Sequence, residues 1–208
     1  MNSNKKSTIT LGALMGLTAI SGSILSAPAS SAANNATASI SLTVPVSCNL
    51  TISNGTLNKE ATAGTNNNIG TATFKTTCND GSGYSVYMVG YTGDAIGGTS
   101  STKLVATTGT IATGTATSGA TSAWGVTLAT SGTSYVPTIT TGWASTLKEI
   151  PESYTKIATL SGTTDQSTGS SFTAAFSAYV ASTQPAGTYT GKVKFTMVHP
   201  ANATAPTT

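Results

Sequence analysis

Cys48 and Cys78 are the two cysteines of the chain, and a thiol pair can form a disulfide, bind a metal or carry out redox chemistry. A metal or redox pair needs close spacing or further ligands, whereas these cysteines lie 30 positions apart (78 − 48 = 30). Each lies towards the end of a strand-like run, so antiparallel pairing of the two runs would bring their Cβ atoms together. In an exported chain this arrangement predicts one disulfide between them.

Few other side chains are suited to catalysis or metal binding. His199 is the single histidine and lies in a predicted solvated tail, whereas a hydrolytic triad needs a histidine held by a third group. Glu149 and Glu152 could act as a carboxylate pair for glycoside cleavage, but a solvated charged loop explains them better. Asp80 and Asp94 lack the dense Asp/Asn loop that calcium selects. We predict no catalytic residue, no metal and no cofactor, and therefore a protein that is not an enzyme.

Aromatic side chains could form a stacking platform for sugar rings if loops bring them to one end of the fold. Trp124 alternates with apolar residues, and core packing is the better interpretation of that pattern. Trp143 lies in a polar stretch, where surface and core positions are equally compatible with the sequence. Trp143, Tyr135 and Tyr91 are the candidate ligand-binding residues.

The first 32 residues have the parts of a secretory signal peptide. Lys5 and Lys6 precede an uncharged, largely apolar stretch at 9–25, and small residues follow at 26–33. A retained membrane helix is the alternative, but the stretch is shorter than the roughly 20 residues that a span prefers. We predict cleavage after Ala29 or Ala32, a secreted protein at the cell surface, and no membrane span in the mature chain.

Charge is scarce in the mature chain. Charged residues make up 7% of the sequence, against about 25% in an ordinary soluble domain. Without the two signal-peptide lysines, seven lysines oppose six acids and the net charge is +1 (9 − 2 − 6 = 1). There is no arginine, so a basic groove for a phosphate backbone is not expected. Nucleic acid is therefore not a predicted partner.

Apolar and polar residues alternate with a period of two through most of the mature chain. The longest run covers residues 38–52, where the even-numbered positions are apolar. Pro45 cannot donate to a strand ladder, which predicts an edge position or a kink there. Shorter runs cover residues 72–78, 124–128, 172–178 and 189–197, and residues 84–91 are apolar on both faces.

Turns rich in Gly, Asn and Asp separate these runs, and short strands with such turns predict an all-β sandwich or barrel. At most one short helical turn is expected, within residues 146–155. Residues 33–199 are predicted to form one domain and residues 200–208 a flexible tail. The predicted core between two sheets contains Phe74, Phe172, Phe176, Val193 and Phe195.

Three segments resemble the fimbrial subunits and spore-coat-U-type domains of bacteria. They are residues 46–50 (VSCNL), 77–86 (TCNDGSGYSV) and 184–193 (QPAGTYTGKV). Residues 193–200 (VKFTMVHP) are also similar to uncharacterised secreted surface proteins of very small bacteria. The resemblance implies an immunoglobulin-like or jelly-roll-like antiparallel β-sandwich, with a missing strand donated by a neighbour's N-terminal extension. The polar tail departs from the family pattern and leaves a self-completed sandwich as the alternative.

These features predict a secreted structural or adhesive protein, a fibre, pilus-like or coat subunit that associates with itself or with other surface proteins. The alternative is a monomeric secreted module that binds carbohydrate or a host protein. Ile40, Leu42 and Val44 are the predicted donor or edge strand, which pairs with a sheet edge in its own subunit or in the next one.

Overall fold

A computed structural model describes residues 39–92, 95–98, 100–115, 118–199 and 206–207. The predicted signal peptide and most of the predicted tail lie outside the described residues. The chain divides into two compact units, Met1–Leu42 and Thr43–Thr208. Residues 39–42 of the first unit have no regular secondary structure, and every described strand belongs to the second unit.

The described residues form strands and no helix, which confirms the all-β prediction. The strands are β1 Cys48–Ser53, β2 Thr65–Cys78, β3 Tyr84–Thr92, β4 Ala95–Ile96, β5 Leu104–Ala106, β6 Gly109–Thr113, β7 Ala123–Ser131, β8 Thr138–Ile139, β9 Thr155–Leu160, β10 Ser170–Val180 and β11 Lys192–Val198.

The strands form two sheets. The first sheet has the order β1-β2-β10-β7-β6-β5, and the second has the order β11-β3-β9-β8, with β4 beside β3. The strand pairs are antiparallel except for β6 and β7, which run parallel. Hydrogen bonds between Val105 of β5 and Thr190, just before β11, also connect the far edge of the first sheet to the second.

Both sheets contribute side chains to one hydrophobic core. The ring of Phe74 on β2 stacks on Phe172 of β10 with centroids 4.8 Å apart, and Phe195 of β11 lies 4.3 Å from Phe74. Phe176 is buried in the same cluster, and Val193 is partly buried against it. The five predicted core residues therefore share one core, and Trp124 is buried there as predicted.

A buried cluster of three hydroxyl groups also joins the two sheets. The Thr76 Oγ1 atom lies 2.5 Å from the Tyr84 hydroxyl and 2.7 Å from the Ser170 Oγ atom, and Tyr84 and Ser170 are hydrogen-bonded to each other. Each hydroxyl can donate to one neighbour and accept from the other. All three groups are therefore satisfied inside the core, where an unpaired hydroxyl would be destabilising.

The predicted disulfide is confirmed, and the strand register explains it. β1 pairs antiparallel with β2 so that Cys48 lies directly opposite Cys78, and their sulfur atoms are bonded. The chain turns into β3 through Gly83, which has a φ of +83°. A Cβ atom at Gly83 would lie 1.8 Å from the carbonyl oxygen of Leu160, so this turn requires glycine.

Two local predictions differ from the structure. The long alternating run enters a ladder only at Cys48, because residues 39–47 have no strand beside them within the single described chain. The expected helical turn at 146–155 is also absent from the described chain. Lys148 instead exchanges two backbone hydrogen bonds with Val126 of β7, and its carbonyl oxygen would lie 2.3 Å from a Cβ at Gly125.

Removing the disulfide should destabilise the domain. In the chain-entropy description, closing a 30-residue loop contributes about 3 to 4 kcal/mol. We expect the Cys48→Ala/Cys78→Ala variant to lose that much unfolding free energy in denaturant titrations. Wild-type protein in reductant is the control and should behave similarly, whereas equal stability of the oxidised protein and the variant would contradict the expectation.

Truncating an aromatic ring at the centre of the core should lower the unfolding free energy by a similar amount. Phe172 is fully buried, so Phe172→Ala should lower the unfolding free energy by about 3 to 5 kcal/mol. Val136→Ala, at an exposed position, should lower it by less than about 0.5 kcal/mol. A loss below about 1 kcal/mol for the Phe172 variant would show that the ring is not central to the core.

Candidate strand-binding seam

β1 and β11 are terminal strands of the two sheets, and their Cα atoms come within 8 Å of each other. Among the described strands, β1 forms a ladder with β2 only and β11 with β3 only. We call the boundary between them the seam. Its apolar lining is Cys48, Leu50 and Ile52 from β1 and Val193, Phe195 and Met197 from β11. Among the described residues, neither strand has a hydrogen-bonded neighbour across the seam.

The seam-lining side chains belong to the core face of their strands but are incompletely covered. On β1, the lining residues oppose Phe74, Thr76 and Cys78, which are buried. On β11, they oppose Val86, Met88 and Gly90, which are also buried. Nevertheless Ile52 is 50% exposed, and the other lining residues are only partly buried. The apolar side chains that line the seam are therefore left partly exposed to solvent.

A stretch of exposed apolar residues precedes β1. Ile40 is 93% exposed, Leu42 87%, Val44 72% and Val46 50%. These four residues share one parity, so an extended backbone would present them on one side. We call residues 40–46 the N-terminal segment. Its side chains have the spacing of a strand that buries one face, without being buried in the described chain.

Asn79 fixes the point at which this segment enters β1. The Ser47 backbone N–H donates to Asn79 Oδ1 at 2.6 Å, and the Asn79 backbone N–H donates to the Ser47 carbonyl at 3.1 Å. The Asn79 Nδ2 group donates to the Pro45 carbonyl at 2.9 Å. The sequence Asn79-Asp80-Gly81 predicts a turn and gives Asn79 no further role. If Cys48 and Cys78 are paired on antiparallel strands, Asn79 must lie opposite Ser47. This relation is the sequence signal that could have identified the contact.

The aromatic candidates do not form a platform. Trp143 is 8% exposed and lies in the core, so its prediction as an exposed ligand-binding residue is wrong. It is buried because its carbonyl accepts a hydrogen bond from Leu128 of β7, which draws the segment onto the sheet.

The two tyrosine candidates lie apart. Tyr135 is 43% exposed and precedes β8, which pairs with the Thr159 end of β9. Tyr91 is half-buried at the opposite end of β3. Six residues of β3, from Ser85 opposite Thr159 to Tyr91 (91 − 85 = 6), span about 20 Å between the two ends. One small sugar could not contact both rings.

The described ionisable side chains of Asp80, Asp165 and His199 form hydrogen bonds or ion pairs that stabilise turns and the end of β11. His199 Nδ1 lies 3.3 Å from Asp80 Oδ2, so His199 is not the solvated tail residue that the sequence predicts. The backbone N–H of Ser82 is the main cause that lowers the pKa of Asp80, and His199 lowers it further. Hydrogen bonds from Ser167 and Thr168 lower the pKa of Asp165 in the same way. Both carboxylates thus stabilise their turns above their ordinary pKa of 3.8, and this contribution is lost as the pH falls through the lowered pKa.

Glu149 and Glu152 are exposed, as a charged loop would be. Within the described ranges, no three His, Cys, Asp or Glu side chains are grouped closely enough to hold a metal ion. The same described residues form no helix that is long and apolar enough to span a bilayer. A shallow cleft of about 220 Å³ is lined by Ser, Thr and Gly from residues 131–134 and 168–171, which can offer a ligand hydrogen bonds only.

The Asn79 contacts predict a local effect on the entry to β1. Asn79→Ala should lower the unfolding free energy by about 1 kcal/mol and speed amide exchange at Ser47 about fivefold, because the Ser47 N–H loses its acceptor. Asn79→Asp keeps that acceptor and should retain slow exchange at Ser47. Equal exchange rates in wild type and the alanine variant, measured by NMR, would show that this hydrogen bond does not hold the segment.

Comparisons with protein-family models, with curated proteins and with solved structures gave no match for this chain. The resemblance to fimbrial and spore-coat-U-type proteins therefore stays a prediction that rests on the three segments quoted above.

Proposed function

We propose that the mature protein is a secreted structural or adhesive subunit of a surface fibre or coat. In this proposal the two sheets form an immunoglobulin-like sandwich that is incomplete at the seam. The N-terminal segment of one subunit adds a strand to the seam of the next. The protein acts by binding and assembly and not by catalysis.

The incompletely covered seam is the observation that carries the proposal. Its core-facing residues would be buried by one further strand, and each of its two strands has an edge with no ladder partner among the described residues. The N-terminal segment supplies four exposed apolar side chains on one parity. In strand addition, main-chain hydrogen bonds provide affinity and alternate side chains fill pockets, and the apolar residues of the segment and of the seam support such a pairing.

The entry to β1 favours donation to another subunit. Asn79 holds Pro45 and Ser47 in line with β1, and the ladder continues at Cys48 without interruption. A chain that lies beside its own β1 must first reverse direction, and even the shortest hairpin needs a loop of two residues. No such loop separates Val46 from Cys48. Within one chain, the N-terminal segment can therefore continue straight into β1, but it cannot also lie alongside that same β1. It can lie in the seam beside the β1 strand of another subunit.

The composition of the chain is consistent with a surface role. A predicted signal peptide directs export, and a cross-strand disulfide is the usual reinforcement of exported domains. The low content of charge leaves hydroxyl and amide groups to maintain solubility, and these groups respond weakly to pH and salt.

Deleting residues 34–46 tests the proposal. The mature protein should form assemblies that grow with concentration in sedimentation velocity. The truncated protein should stay folded and monomeric, with a thermal midpoint lowered by no more than about 4 °C, because the apolar side chains of the segment are exposed in the single chain and the hydrogen bond from Asn79 to Pro45 is lost. Adding a peptide of residues 38–47 should restore binding to the seam and raise the midpoint of the truncated protein.

Two point variants provide a matched control. Leu42→Asp places a charge on the apolar parity and should abolish assembly, since an unpaired carboxylate is not tolerated in an apolar pocket. Thr43→Asp places the same charge on the opposite parity and should assemble normally. Unfolding of the truncated protein would assign the segment to its own domain. A mature protein that stays monomeric at all concentrations would overturn the proposal and favour the monomeric binding module.

A further inference from the structure

The outer face of the second sheet carries a compact group of lysines and tyrosines. The register of β11, β3 and β9 places Lys192 opposite Tyr91, and Tyr87 opposite Lys156. Lys194 lies between these rows, opposite Val89. All three lysines are exposed, and they are three of the seven lysines left after removal of the predicted signal peptide. We call this group the lysine face.

Two of the ammonium groups are held over aromatic rings. The Lys192 Nζ atom lies 5.5 Å from the centroid of the Tyr91 ring, and the Lys194 Nζ atom lies 5.9 Å from that of Tyr154. Val89 lies opposite Lys194 and is fully buried. Such cation–π contacts restrict the side chains without neutralising their charge. The lysine face therefore presents positive charges at fixed positions, with Lys192 and Lys194 about 7 Å apart along the strand.

The strands that carry these lysines have no acidic side chain of their own. β3, β9 and β11 contain no Asp or Glu. Among the described residues, no carboxylate forms an ion pair within 4 Å of these three lysines. These three strands therefore place three positive charges and no negative charge on one sheet face, although the net charge of the mature chain is only about +1. Such a local field attracts anions although the whole molecule is nearly neutral.

Hydroxyl groups continue the same face beyond the lysines. Ser85 of β3 lies opposite Thr159 of β9, which in turn lies opposite Thr138 of β8. These residues lie on the same face as Tyr87 and Lys156, because Val86 on β3 and both Ile157 and Ala158 on β9 are buried and a register shift after Val86 absorbs the extra residue. The exposed ammonium groups and these hydroxyl groups, of which Thr138 is exposed and Ser85 and Thr159 are half-buried, therefore lie on the same side of the sheet.

We propose that the lysine face binds an acidic polysaccharide, a linear glycan that carries carboxylates along its length. The fixed ammonium groups would pair with the carboxylates, and the hydroxyl groups would hydrogen-bond to the sugars. This activity goes beyond assembly at the seam, since the lysine face uses the opposite side of β11's sheet. A subunit that does not assemble binds the same glycan.

The same contacts disfavour other anionic partners. Sequence-tolerant binding of single-stranded nucleic acid uses open aromatic faces on which bases stack, and lysines cover the faces of Tyr91 and Tyr154 here. Protein interfaces are depleted in lysine and enriched in apolar residues at their centre, unlike this surface. An extended, hydrated, negatively charged chain fits best.

Binding of the mature protein to immobilised polygalacturonate tests the inference, with neutral dextran as the negative control. Wild type should be retained at about 20 mM salt and released by about 300 mM salt, as expected for exposed charges. Lys192→Gln/Lys194→Gln should weaken binding about threefold to thirtyfold.

A second double variant distinguishes binding at the lysine face from a non-specific effect of the net charge. Lys59→Gln/Lys75→Gln removes the same charge from exposed positions outside the lysine face and should change binding less than about twofold. Equal losses in both double variants, or no retention of wild type, would overturn the inference. Tighter binding to single-stranded oligothymidylate than to polygalacturonate would also overturn it. Repeating the measurement with Leu42→Asp separates binding by single subunits from the avidity of assemblies.

Discussion

The covalent pairing of Cys48 with Cys78 determines the geometry on which the rest of the candidate site depends. It locks β1 against the end of β2 in one register, so that Leu50 and Ile52 face the core side. The same register brings Asn79 opposite Ser47 and sets the path by which the N-terminal segment leaves the domain. A slip of one residue would turn the apolar face of β1 outward and remove the seam.

The domain can leave this seam open because most of its fully buried apolar packing lies on other strands. The stacked rings of Phe74 and Phe172, the buried Leu128 and Val126 of β7, and the hydroxyl cluster around Thr76 lie away from the terminal strands or beneath them. β1 and β11 are therefore attached to a core that is already packed. The apolar surface that stays exposed along the seam is available for association. Its burial against another chain would stabilise an assembly.

The two proposed surfaces lie on different faces of the same strand. β11 directs Val193 and Phe195 towards the core and the seam, and it directs Lys192 and Lys194 outward, because successive side chains of a strand alternate. One strand can thus serve assembly through its apolar parity and ligand binding through its charged parity. Strand addition along the edge of β11 would leave the lysine face uncovered.

The sequence by itself determined the all-β class, the disulfide and the central core residues, because strand alternation and cysteine placement are local signals that a packed sheet preserves. It could not decide how far the first alternating run enters a sheet, since residues 39–47 and β1 have the same pattern and differ only in having a neighbour. The residue pattern around Trp143 also could not decide whether this side chain is buried. A backbone hydrogen bond between Leu128 of β7 and Trp143 brings it into the core. The seam and the lysine face arise from strand order and register between residues more than 100 positions apart, such as Lys192 and Tyr91, and only the tertiary structure decides those pairings.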